Sequence, residues 1–239
     1  LAPMATVAMS AEASLDSFLE STPSPLVAML GLQSLHAQVT KALAADAPSS
    51  IDAPIPRYLS LPSDSRVLDY VAHSSGDSSA LVLKRDWLQK HTQTVPAVMS
   101  LWFAWGSNTS VATILSQVES MRSRCRPSCR ILIVLVASSA YGQSAGSFAA
   151  DDRLSMLRKA PEIDGRFILL LTTDGEGDNE VVDEPSMRRL IKCFVEMAVS
   201  YYKDESRRSR KPKKSSPQLL ARHHFKRAYY SEFRRDVPS

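Results

Sequence analysis

The sequence predicts an α/β fold: a Rossmann-like, largely parallel sheet with flanking helices. Three observations carry this. Residues 130–137 read RILIVLVA, with six large aliphatic side chains in succession, four of them β-branched; a strand without polar alternation is one covered on both faces. Two more apolar runs, 95–105 and 167–171, lie on either side of it in sequence. Helical spacing separates the three: Val111, Ile114, Leu115 and Val118 in the first gap, Leu154 and Leu157 in the second. Strand, helix, strand, helix, strand is the order that builds a parallel sheet. Burying each aliphatic side chain of 130–137 contributes about 1.5–3 kcal/mol against chain entropy, so this strand is the centre of the core.

The chain of 239 residues suits one α/β domain with additions. It starts at Leu1 and stops at Ser239 just after a helical pattern, so a longer polypeptide is expected. Three cysteines (Cys125, Cys129, Cys193) are too few and too irregular for a disulfide framework. Residues 1–20 lack the basic start and sustained apolar stretch of a secretory leader, and a cytoplasmic location is expected. The longest apolar runs fall well short of the roughly 20 residues that cross a bilayer. The net charge of +4 is uneven: residues 203–239 hold 12 Lys or Arg against 4 Asp or Glu, a local +8, which leaves −4 for residues 1–202.

In order, residues 1–22 are rich in Ala, Ser and Met and read as a flexible extension. Pro23 and Pro25 open the α/β domain, taken as 23–202. Residues 26–32 read as a first buried strand, and Leu32, Leu35, His36, Val39 and Leu43 as one face of the helix after it. His36 on that apolar face reads as a hydrogen-bonded core residue rather than a metal ligand. Short strands are expected at 57–61, 67–71 and 80–83, and a short helix at 84–91 with Trp87 packed inward. Residues 95–105 form the next strand, with Pro96 confined to its start. Asn108 or Thr109 is the expected cap of the following helix, and Arg122, Arg124 and Arg126 complement the dipole at its end. After the 167–171 strand, 172–179 (TTDGEGDN) reads as a solvated acidic loop, and Glu184-Pro185 opens a long helix that runs to Tyr202. Residues 203–217 read as a basic linker and 218–236 as a last amphipathic helix.

Several motifs suggest chemistry. Residues 142–146 (GQSAG) match the nucleophile elbow with Ser144 as nucleophile; Asp164 or Asp174 and His223 or His224 would complete a triad in chain order. Residues 138–141 intervene between strand and elbow, no upstream Gly-rich segment offers an oxyanion hole, and both histidines lie in a basic helix. An α/β hydrolase is therefore the alternative rather than the main reading. Gly146 is followed by Ser147-Phe148, not by the Lys of a phosphate loop. Asp174, Glu176 and Asp178 would repel a nucleotide phosphate and lack the spacing of a calcium loop. Cys125 and Cys129 are half a zinc site without a second half, and Cys193 reads as a small core residue. No cofactor is expected.

The last helix, QLLARHHFKRAYYSEFRRD, places Ala221, Phe225, Ala228, Tyr229 and Phe233 on one face. Its residues Arg222, His223, Phe225, Lys226, Tyr229, Tyr230, Ser231 and Glu232 resemble, in the same order, a segment at the end of the N-terminal region of the foie-gras subunit family of the TRAPP membrane-tethering complex. Leu83-Lys84, Trp87, Lys90-His91 and Val95-Pro96-Ala97 resemble a second segment of that family at matching spacing. Weaker likeness spans about residues 25–236; residues 46–79, the N-terminal extension and the basic linker depart from the pattern. The resemblance implies an α/β domain that precedes a helical solenoid beyond residue 239. It also implies a scaffold without a catalytic centre, in a complex that serves transport between endoplasmic reticulum and Golgi and autophagy.

The partners so implied are other subunits of that complex and, indirectly, a Rab GTPase, with peripheral association at Golgi membranes. The expected interaction surface combines the aromatic face Phe225, Tyr229 and Phe233 with Arg207, Arg208, Lys213 and Lys214. A rival account has the basic tail bind anionic lipid or nucleic acid; of the two, nucleic acid is the less expected.

Overall fold

The structure, a computed structural model, describes residues 23–45, 54–62, 87–138, 151–161, 163–174, 181–209 and 216–236. The readings of 1–22, of strands at 67–71 and 80–83, of the Ser144 loop and of Lys213 and Lys214 lie outside the described residues.

Among the described residues the strands are β1 (Leu26–Leu30), β2 (Arg57–Leu61), β3 (Val98–Ala104), β4 (Arg130–Ser138), β5 (Ile168–Asp174) and β6 (Val181–Val182). They form one sheet in the order β2-β1-β3-β4-β5-β6, parallel except for β6. The α/β, largely parallel architecture is thus the one the apolar runs predict. Helix α1 (Gln33–Ala45) follows β1, and the short α2 (Trp87–Gln89) continues into a π turn, Lys90–Thr94, before β3. Helices α3 (Val111–Arg124) and α4 (Asp152–Lys159) flank β4 in sequence, and α5 (Glu184–Arg208) and α6 (Pro217–Phe233) end the described chain.

Strand β4 shows why both faces need helices. Its alternate side chains Leu132, Val134 and Val136 enter one core with α1, α5 and α6; Ile133, Leu135 and Ala137 enter the other with α3 and α4. The strand order reverses between β1 and β3, so right-handed crossovers send α1 to one face and α3 and α4 to the other. At that reversal the backbones close tightly. Gly31 has φ +87°, and a Cβ there would lie 2.3 Å from the Trp102 carbonyl oxygen. β1 accordingly stops at Leu30, short of the expected Leu32, which itself has φ 42°.

Other departures have local causes. Ser110, not Asn108 or Thr109, caps α3 by accepting from the Thr113 amide; Thr109 instead donates to the Ala104 carbonyl and accepts from the Gly106 amide, closing the turn after β3. Residues Thr172–Asp174, expected in a loop, extend β5, because Thr173 and Asp174 pair with the two residues of β6. Helix α5 runs six residues past the expected Tyr202, to Arg208. The reading of 203–208 as linker is corrected: Asp204 and Glu205 form ion pairs with Arg130 and Arg126, which turns a charged run into a packed helix end. His36 and Trp87 are buried as expected, with His36 Nδ1 2.7 Å from Ser60 Oγ.

Val134, fully buried and in register with Trp102 and Leu169, tests the placement of β4. Val134→Asp sets a carboxylate between two covered faces, at a cost of several kcal/mol against a domain stability of about 5–15 kcal/mol. Cooperative thermal unfolding should disappear; a melt like that of the parent would contradict the central position.

Candidate functional site

Helix α5 spans the molecule. At its start Ser186 Oγ lies 3.4 Å from Thr172 Oγ1, at the carboxyl end of β5. Its 25 residues, about 37 Å of helix, carry it to the opposite rim, where β4 begins. There Asp204 pairs with Arg130, and Glu205, only 3% exposed, sits 2.9 Å from the Arg126 guanidinium and 3.4 Å from that of Arg208. A carboxylate so buried is tolerable only when ion pairs offset its desolvation.

One turn earlier, Tyr201 and Tyr202 are fully buried, and α6 packs against them. The Phe233 ring stacks on Tyr202 at 4.0 Å, and Tyr229 meets Phe233 edge-on at 5.1 Å. Nearer the start of α6 the same face meets Trp87, whose ring centroid lies 5.6 Å from Tyr229, 5.7 Å from Tyr230 and 6.2 Å from Phe225. Lys226 Nζ stands 5.2 Å over the same indole. Aromatic pairs of this kind contribute about 0.5–1.5 kcal/mol each beyond area burial, and the cation over the indole adds to them.

The π turn places His91 in this seam. Val95 donates its amide to the Lys90 carbonyl, and the widened turn brings the His91 ring to 5.5 Å from that of Tyr230, 139 residues later in sequence. Burial pushes the His91 imidazole down to about 3, assisted by the charges of Arg126, Lys226 and Lys90, so it is neutral near pH 7. Burial also pushes the Tyr202 phenol well up and Tyr229 to about 12. A neutral imidazole among protonated phenols and stacked rings packs the π turn against α6.

The expected interaction surface is thereby divided. Tyr229 and Phe233 are buried and Phe225 is half-buried, so the aromatic face is filled by this chain's own Trp87 and Tyr202. This corrects the expectation that the face is left for a partner. The apolar stripe was visible, but the surface that covers it comes from residues far away in sequence. Arg207 and Arg208 remain exposed at the end of α5. His223 is buried with Nδ1 3.5 Å from Ser209 Oγ, just past the end of α5, and Ser144 lies outside the described residues. Asp164 caps a short 3-10 turn and pairs with Arg166. The Cys129 thiol is pushed well up, first by its hydrogen bond with Cys125 and then by burial. Among the described residues no group of three or more His, Cys, Asp or Glu could hold a metal ion, and no helix is long and apolar enough to cross a membrane.

Sequence reasoning missed Tyr202, Tyr230 and His91 as partners, and the four-arginine junction of Arg126, Arg130, Arg207 and Arg208. A signal existed. The two segments that carry the family resemblance, around 83–97 and 222–232, are the two that meet at Trp87 and His91.

Two expectations follow from the seam. Phe233→Ala should cost about 3–5 kcal/mol in denaturant unfolding, while Tyr202→Phe, which removes a buried hydroxyl with no partner among the described residues, should be neutral or stabilise by about 1 kcal/mol. A cost below about 1 kcal/mol for Phe233→Ala would return the aromatic face to solvent. The second concerns pH. Because the folded His91 value lies below the unfolded 6.5, the unfolded chain binds more protons between them; stability is full above about 6.5 and falls as pH drops toward 3. His36, held at about 4 mainly by burial, adds to the same slope. His91→Gln should flatten the decline in melting temperature between pH 6.5 and pH 4, and an unchanged slope would remove His91 from the account.

Residues 79–181 match the family model described as the trafficking protein particle complex subunit 11 N-terminal domain. The subunit 11 proteins of Bos taurus and Homo sapiens are each 26% identical to this chain over 170 residues, covering 65% of the chain and 14% of the relative. The Gallus gallus protein is 25% identical over the same length. The chain therefore spans about 14% of the length of the curated relatives it matches. The likeness first read from two short segments thus extends over residues 79–181, and the chain is similar there to the N-terminal domain of trafficking protein particle complex subunit 11.

Proposed function

We propose that this chain is the architectural α/β domain of a TRAPP complex subunit, acting by protein interaction rather than catalysis. The observation that carries the reading is the seam itself. The segments that resemble the family, centred on Trp87 and Tyr229-Tyr230, are spent on packing α6 against the domain, and His91 and Tyr230, which meet there, are buried and neutral. A resemblance whose two strongest segments meet in a helix-docking seam fits a part whose shape is its function.

On this reading the partners are the other subunits of the complex, and a Rab GTPase is engaged only through the assembly. The setting is cytoplasmic, peripheral to Golgi or ER-Golgi intermediate membranes, in vesicle transport and autophagy. The hydrolase alternative is the less supported reading: Ser144 lies outside the described residues, and the His223 ring is buried with Nδ1 3.5 Å from Ser209 Oγ.

Tagged chain expressed in cells should co-purify the other TRAPP subunits, and Phe233→Ala should reduce their recovery. A folded parent chain that recovers none of them would overturn the proposal. Fluorophosphonate labelling abolished by Ser144→Ala would promote the hydrolase in its place.

A further inference from the structure

We infer that Cys125 and Cys129 form a dithiol modification site, which a small-molecule disulfide such as oxidised glutathione converts to an internal disulfide. The inference does not depend on the scaffold reading, since it rests on where the two sulfurs stand. Cys125 ends α3, its amide donating to the Met121 carbonyl, and Cys129 directly precedes β4. Between them the chain turns back on itself, with the Cys129 amide donating to the Arg126 carbonyl at 2.8 Å. That turn brings the two side chains together, and the thiols share a hydrogen bond. Sulfurs in such contact need to close by at most about 2 Å to reach the roughly 2.05 Å of a disulfide.

Both cysteines line an open cleft of about 520 Å³ between α3 and the turn at residues 163–167, so a reagent from solvent reaches them. The charged side chains that also line it, Arg122, Arg126, Arg130 and Asp164, already have partners; what is left for chemistry there is sulfur. Cys193 is placed otherwise, on α5 with its Sγ 3.7 Å from Met197 Sδ, and it does not line the cleft. The exchange runs in two displacements. The sulfur of Cys129, the half-buried member of the pair, attacks one sulfur of glutathione disulfide; that S–S bond breaks, and the departing glutathione takes the Cys129 proton. The Cys125 sulfur then attacks Cys129 in the mixed disulfide, and the second glutathione leaves with the Cys125 proton. The chain is oxidised by two electrons, and glutathione disulfide is reduced to two thiols. In a reducing compartment a bond of this kind is transient, which is the behaviour of a redox-sensing pair rather than of a structural staple. Arg126 lies within the ring so closed, which links the couple to its ion-pair partner Glu205 on α5.

The test equilibrates the chain in mixtures of reduced and oxidised glutathione, traps free thiols with N-ethylmaleimide, and reads intact and peptide masses. The expected product has lost two hydrogens, joins Cys125 to Cys129 and keeps Cys193 as a free thiol. Because closing the internal disulfide releases both glutathiones, tenfold dilution of the whole glutathione pool at a fixed ratio should raise the proportion of disulfide to dithiol about tenfold. Cys125→Ser should halt the reaction at a mixed disulfide on Cys129, whose yield does not change on dilution. The dilution response of the parent needs no variant, so the test stands even where Cys125→Ser folds poorly. A parent that retains glutathione on Cys129, that bonds Cys193 first, or whose Cys125 and Cys129 both remain fully alkylated in the most oxidising mixture would overturn the inference.

Discussion

The constraint on which the structure depends is the double coverage of β4. Its backbone is bonded to β3 on one side and β5 on the other, and its side chains alternate between two dry cores. No face of that strand can meet water, so the segments between strands must supply helices to both sides. Strand order decides which helix goes where. Reversal at β1 leaves α1 alone on the face that α3 and α4 do not cover, and the remaining area is what α5, a 25-residue helix, and then α6 come to fill. Gly31 belongs to the same constraint: β1 and β3 approach so closely at the reversal that a side chain would overlap the Trp102 carbonyl.

What was legible in the sequence is what short-range periodicity encodes. The β4 run, the α3 stripe of Ile114 and Val118, and the α5 stripe of Leu190, Phe194 and Ala198 each announce a buried face, and each is buried. What was not legible depends on pairing across distance. β6 has two residues and exists only because β5 lies beside it. The end of α5 reads as solvated because Lys203, Asp204, Glu205, Arg207 and Arg208 are charged, yet Glu205 is nearly as buried as the tyrosines before it. Composition records the charge of a residue, not the arginine 79 positions earlier in the chain that neutralises it. The π turn at Lys90–Thr94 likewise has no periodicity of its own, and only the position of Tyr230 shows why His91 is turned inward.

The candidate site was legible in its parts but not in its sense. Phe225, Tyr229 and Phe233 were identified as one face of a helix, and they are; whether such a face is internal or external is a question about what covers it. Here Trp87 and Tyr202 cover it, which leaves cations rather than rings as the exposed chemistry at that end of the domain.

The two halves of this end are mechanically linked. Glu205 faces Arg126 and Arg208 within the charged junction, and the tyrosines one turn before it, Tyr201 and Tyr202, form the floor on which α6 rests. A buried carboxylate between two guanidiniums fixes the rotation of α5 about its axis, because any other rotation would strand the charge in the core at a cost of several kcal/mol. That same rotation aims Tyr202 at Phe233 and sets where α6 lies, and with it the meeting of Trp87 and Tyr230. Charge at the rim and aromatic packing in the seam are therefore a single arrangement. The charged junction keeps its geometry only while the seam holds the end of α5 in place, so loss of the aromatic contacts would disperse the arginines as well as release the helix.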